Sequence, residues 1–154
     1  MDTLYFGNGN IEYTIEIVGY VHNGEEVKTQ TGKTVLYYKS GIVAREDLQD
    51  DFGNWLTSKY YNRSGVLTEE WITTEIDTRA KNLDEFFKSV YHIDFKRIIK
   101  HYRFSKKTNE LYPYKIEYLT LINNIYGRKV EFLYENGQIR RMKKLKEKAR
   151  KNVW

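Results

Sequence analysis

From Ile11 the segment IEYTIEIVGY alternates, with Ile11, Tyr13, Ile15 and Ile17 on one side and Glu12, Thr14 and Glu16 on the other. That is the period of a half-buried strand. Asn23-Gly24 follows, a strong hairpin signal because both residues accept a positive φ. A return strand through Val27 to Thr31, an interruption at Gly32 and a third strand over Thr34–Tyr38 predict a three-stranded antiparallel meander across residues 10–39.

The period then changes. Ala44, Leu48, Phe52, Trp55, Leu56 and Tyr60 recur at three and four, which predicts an amphipathic helix from Val43 that ends at Asn62-Arg63-Ser64-Gly65. Gly53 weakens the middle of it by up to ~1 kcal/mol relative to Ala. Residues 66–76 fit helix or strand, and β-branched Ile72, Thr73, Thr74 and Ile76 favour strand. Beyond Asp77 and Thr78, Asn82-Leu83-Asp84-Glu85 has the form of a helix start, with Ala80, Leu83, Phe86, Phe87 and Val90 as its buried stripe. Asp94 is placed to cap a second short helix carrying Phe95, Ile98, Ile99 and Tyr102. Strands return at Tyr114–Leu121 and Lys129–Tyr134, the latter closed by Asn136-Gly137. A further strand from Gln138 runs into RRMKKLKEKARKNVW, where Ile139, Met142, Leu145, Ala149 and Val153 recur at three or four and predict an amphipathic helix.

The predicted architecture is therefore α+β: antiparallel hairpins at both ends of the chain pack on a central helical segment, and a basic helix ends it. Residues 1–139 form one domain and 140–154 a tail. No internal repeat emerges beyond generic hairpins.

Composition narrows the chemistry. The 154 residues are 40% hydrophobic and 31% charged, a globular mix long enough to bury a core. Fourteen tyrosines suit a partly exposed sheet or a binding surface, although a Lys-, Asn-, Ile- and Tyr-rich chain is also what an AT-rich genome encodes. Without cysteine there is no disulfide, thiolate metal site or cysteine nucleophile. No secretory leader and no apolar run of ~18 residues is present, so a cytoplasmic protein without a membrane span is expected.

Charge is unevenly placed. From Arg140 onward Arg140, Arg141, Lys143, Lys144, Lys146, Lys148, Arg150 and Lys151 face Glu147 alone, a balance of +7, whereas the whole chain is +5 and the preceding 139 residues are −2. Such a segment suits nucleic acid or a nucleoprotein. Lys96, Arg97, Lys100 and Arg103, interleaved with Tyr102 and Phe104, form a smaller basic and aromatic cluster of the kind that contacts single strands. A helix-turn-helix over 79–103 is disfavoured by its Tyr-His-Ile-Asp connection.

Catalytic signals are thin. His92 and His101 lie nine apart, which is not the spacing of a helical metal pair, and they serve at most as acid and base of a metal-independent ribonuclease with Lys96 or Lys100 beside them. Asp94-Phe95-Lys96 and Glu26-Val27-Lys28 echo the acid-x-Lys of metal-dependent nucleases with no supporting Asp upstream. Thr31-Gly32-Lys33-Thr34 ends like a phosphate loop, but Val27 stands where its first glycine belongs. No metal and no cofactor is expected.

The leading expectation is a small non-enzymatic binding protein that engages nucleic acid or a nucleoprotein through its basic tail. Composition fits a phage or mobile-element accessory protein that inhibits a nucleic-acid-processing enzyme. A second expectation inverts the charge: Glu46, Asp47, Asp50 and Asp51, with Glu69-Glu70, imitate nucleic acid. The ribonuclease is the third.

Overall fold

The computed structural model describes residues 1–77, 82, 84–85 and 94–149, with side chains through residue 145. Its ten strands are β1 (Asp2–Tyr5), β2 (Ile11–His22), β3 (Glu25–Tyr37), β4 (Val43–Gln49), β5 (Trp55–Tyr61), β6 (Leu67–Asp77), β7 (Asp94–Phe104), β8 (Leu111–Ile122), β9 (Ile125–Leu133) and β10 (Ile139–Ala149). Within β1–β5 and within β7–β10, strand order follows the order in the chain. The chain divides into two compact units, Met1–Glu70 and Trp71–Trp154, with the boundary inside β6.

The predicted α+β class is thus corrected to antiparallel β. No helical element stands among the described residues, and each overturned helix has a local cause. Over 43–61 the six apolar residues at helical spacing belong to two strands and the turn between them. Asp50 Oδ1 accepts the N–H groups of Phe52 and Asn54 at 2.9 Å each, a local side-chain turn that competes with helix. Gly53 adopts φ +79 there. In β7, Ile98, Ile99, Tyr102 and Phe104 are the β-branched and aromatic residues that fit a pleated surface, and Asp94 caps the turn at Asn123 (3.0 Å) rather than a helix. The C-terminal tail, expected as a basic helix, returns from Asn136-Gly137 as β10 and pairs with β9 from Ile139↔Leu133 to Ala149↔Ile125. The predicted helix over 79–91 falls mostly outside the described residues; within them, Asn82 Oδ1 accepts the Glu85 N–H at 2.9 Å.

One turn recurs through the chain. Phe6, Tyr38, Asp50, Asn62 and Tyr134 each donate an N–H to the carbonyl four residues on and accept one from the glycine three residues on, at 2.8–3.0 Å. Those glycines, 9, 41, 53, 65 and 137, have φ between +78 and +86, the left-handed position of a type I turn with a glycine bulge. Tyr38, Asp50 and Asn62 are spaced by twelve, so turn, β4, turn, β5, turn is a true repeat that reading the strands singly does not reveal. Asn23-Gly24 and Asn123-Asn124 make tighter turns, with positive φ at both residues.

In the first unit the register aligns Ile15, Thr34, Asp47 and Ser58 across β2–β5, and all four are buried. Beyond Ile15 the row is short and polar. Arg45 lies over Trp55 and Tyr60 at 4.8 and 4.9 Å and donates Nε–H to Asp47 at 2.8 Å. In the second unit Ile99, Tyr112, Leu121, Val130 and Leu133 are the buried apolar side chains.

Gly32 is a separate case. It sits inside β3 with φ +62, where the β2–β3 register shifts between Ile15 and Ile17. A Cβ there would land on the Glu16 carboxylate, whereas one at Gly9, φ +86, meets open space. Gly32→Ala is therefore expected to destabilise by about 2–4 kcal/mol, from backbone strain plus displacement of Glu16, and Gly9→Ala by about 1–2 kcal/mol. Urea unfolding of the two variants measures the difference; equal losses would remove the packing role assigned to Glu16.

Candidate nucleic-acid interface

Directly paired residues of an antiparallel sheet present their side chains to the same face. In β7–β10 this aligns three successive rows: Arg97–Leu119–Arg128–Leu145, Ile99–Glu117–Val130–Lys143 and His101–Lys115–Phe132–Arg141. The face is rich in cations and holds one carboxylate at its centre.

That carboxylate, Glu117, is 8% exposed. His101 Nε2 lies 2.5 Å from its Oε2, Lys115 Nζ lies 3.1 Å away, and the Arg128 guanidinium bonds its Oε1. Burial alone would raise the Glu117 pKa, but the bonds from Arg128, His101 and Lys115 outweigh it and hold the group at about 2. Glu117 is therefore ionised and can only accept, so His101 carries its proton on Nε2.

Rings and guanidinium groups pair on the same face. Arg97 lies 4.1 Å over Phe95, Arg103 lies 4.9 Å over Tyr114, and Arg141 lies 4.8 Å over Phe132. Arg97 also donates Nε–H to Thr73 Oγ1 at 3.1 Å, and burial lowers its pKa. Arg103 donates to the Tyr112 hydroxyl at 2.5 Å.

The basic residues picked out in the sequence divide accordingly. Lys96, Arg97, Lys100 and Arg103 do not share a helix face; β7 sends Arg97, His101 and Arg103 to one side and Lys96 and Lys100 to the other. Lys96 is 2.9 Å from Glu75. Arg140, Arg141, Lys143 and Lys144 are exposed on β10, with Arg141 and Lys143 on the Glu117 face and Lys144 opposite Lys129 on the other. Lys146 and Lys148 lie on β10 with side chains outside the described residues, as are Arg150, Lys151 and His92 altogether. On the second face, Glu131 accepts from Lys129 at 2.8 Å and from the Tyr118 hydroxyl at 2.9 Å. The Lys129 bond leads in holding Glu131 below the usual carboxylate range, against burial.

The acids expected to imitate nucleic acid are largely engaged within the protein. Glu46, Asp47, Asp50 and Asp51 stand on β4 and the turn after it, not on a helix, and Glu69-Glu70 stand on β6. Glu46 takes Lys33 Nζ at 3.1 Å and the Tyr61 hydroxyl at 3.0 Å; Asp47 is buried beneath Arg45, and Asp50 closes its own turn. Glu70 lies 4.0 Å from Lys59. Of the two histidines named in the ribonuclease reading, His101 is bonded through Nε2 to Glu117 and His92 lies outside the described residues. Among the described residues no group of three or more His, Asp or Glu gathers in metal-binding geometry, and no helix is long and apolar enough to cross a membrane.

Glu117, Lys115, Arg128, Phe132 and Tyr114 are functional candidates that sequence reasoning missed. Alternation along Tyr114–Leu121 places Lys115 and Glu117 on one side, but joining them to Arg128 and His101 requires the Asn123-Asn124 turn that sets the β8–β9 register.

Comparison with known proteins finds no matching family model, no matching curated protein and no matching solved structure.

Because the Glu117 pKa is depressed from 4.5 to about 2 on folding, its contribution to stability is complete above pH ~4.5 and is lost as pH falls through about 2. Glu117→Gln is expected to lower stability at pH 7 by ~1–3 kcal/mol, since it leaves partly exposed cations uncompensated. It should also flatten the stability profile between pH 5 and 2. Denaturant melts at several pH values test this, and a variant whose profile stays parallel to wild type would contradict it.

Proposed function

We propose that the chain is a non-enzymatic nucleic-acid-binding protein whose first contact with the polyanion is β10. The observation that carries this reading is a contrast in how cations are held. Lys33, Lys59, Lys96, Lys115, Arg128 and Lys129 each sit against a carboxylate of a neighbouring position. Arg140, Arg141, Lys143 and Lys144 are exposed, and among the described residues none of them pairs with an acid. The same holds for Lys28, Lys39, Arg63, Lys106 and Lys107, but those are scattered, whereas β10 gathers its four within five positions. Like charges along one strand repel each other, and neutralising them with phosphates releases counterions and favours binding.

The balance of the two units supports the same assignment. Residues 1–70 carry 6 Lys/Arg and 11 Asp/Glu, while residues 71–154 carry 20 and 10. The positive field thus belongs to the unit that contains β10. Lysines on a terminal strand of a sheet also discourage pairing with a foreign strand. Both roles use the same side chains, and only polyanion binding makes affinity depend on salt.

Fluorescence anisotropy with a labelled 20-nucleotide strand is the direct measurement. Four phosphate contacts predict a fall in affinity of about 50-fold between 50 and 200 mM salt. Replacing Arg140, Arg141, Lys143 and Lys144 together by Gln should weaken binding at low salt and flatten that dependence. Absence of binding at high micromolar protein and low salt, or an unchanged slope in the fourfold variant, would overturn the proposal.

A further inference from the structure

The two faces of the β7–β10 sheet dispose of their aromatic–cation pairs differently. On one face Lys129 lies 4.3 Å over Tyr118, but both groups are bonded to Glu131, so the pair is closed around a carboxylate. On the other face Glu117 engages His101, Lys115 and Arg128. It leaves Arg103 over Tyr114 and Arg141 over Phe132, with no carboxylate on either guanidinium among the described residues.

A guanidinium lying over a ring is a flat, positively charged surface. Such a surface takes the face of a base by stacking and keeps its charge for the phosphate beside it. A duplex hides base faces within its stack, whereas a single strand exposes them. Arg141 stands at the β10 end of the row His101–Lys115–Phe132–Arg141, and Lys143 is two residues along on the same face, about 6.7 Å away at the rise of a strand. Stacking surface and phosphate contact are thus adjacent.

We propose that this face is a single-strand platform: unpaired bases stack on Phe132–Arg141 and Tyr114–Arg103, and Lys143 meets the backbone. The proposal rests on the nucleic-acid reading above and narrows it to unpaired strands and to one face. Lys144, on the opposite face, contributes charge without base contact.

The test compares a single strand with a duplex of the same sequence, using a strand that carries 2-aminopurine, whose fluorescence falls when the base stacks. Wild type should bind the single strand at least tenfold more tightly than the duplex and quench the probe. Arg141→Lys keeps the charge and removes the flat surface; Phe132→Leu keeps an apolar side chain and removes the ring. Each should cost about tenfold in single-strand affinity, reduce quenching and leave the salt slope and urea midpoint near wild type. Lys144→Gln should weaken single strand and duplex alike. Equal affinity for both nucleic acids, or undiminished quenching in Arg141→Lys and Phe132→Leu, would overturn the platform while leaving the β10 proposal intact. Failure of both nucleic acids to bind would overturn both.

Discussion

A strand that turns straight back on itself needs a loop whose handedness suits the twist of the sheet, and here that requirement falls on glycines with a left-handed backbone. Gly41, Gly53 and Gly65 occupy equivalent places in turns twelve residues apart. Once such a turn forms, the register of its two strands is set, and so is the company each side chain keeps. Thr34, Asp47 and Ser58 meet in one row because the flanking turns allow no other alignment. In the second unit, the Asn123-Asn124 turn brings Arg128 beside Leu119 and within reach of Glu117 in the same way.

Those registers also distribute charge. Each buried acid of the sheet has cations or donors arriving from adjacent positions: Arg45 on Asp47, Lys129 and Tyr118 on Glu131, and three groups on Glu117. A carboxylate out of water is tolerable only when it is compensated in this manner. With the internal acids satisfied, the densest remaining run of positive charge is on β10, beside guanidinium groups that lie over rings. The candidate interface is what the internal pairing leaves over.

Much of the β structure was legible. The alternation at Ile11–Ile17 and the Asn-Gly pairs at 23–24 and 136–137 identified hairpins correctly, because period and turn chemistry agree there. The third strand expected before residue 39, however, is the second half of β3, which Gly32 bends without ending. Between 43 and 61 they disagree: a helical spacing arises by chance across two strands, and Asp50, Gly53 and Asn54 decide for a turn. Within β7 a similar coincidence put Phe95, Ile98, Ile99 and Tyr102 on a helix that β-branching argues against. The tail is harder. Its Lys, Arg, Glu, Leu and Met residues are good helix formers, and only pairing to β9 makes the segment a strand. The basic residues themselves were legible from composition, whereas their division between two faces was not, because it depends on register.

Strand order that follows chain order has a kinetic side. Partners joined by turns of two to six residues close short loops, so little chain entropy is lost before a pairing is rewarded. Each hairpin of β1–β5 and of β7–β10 can form beside one already made, as in a ribbon folded pleat by pleat. β10 comes last in that ribbon and, among the described residues, pairs with β9 alone. Its departure therefore breaks one ladder and leaves the others whole, which places the strand with the greatest surplus charge at the low end of the molecule's local unfolding energies.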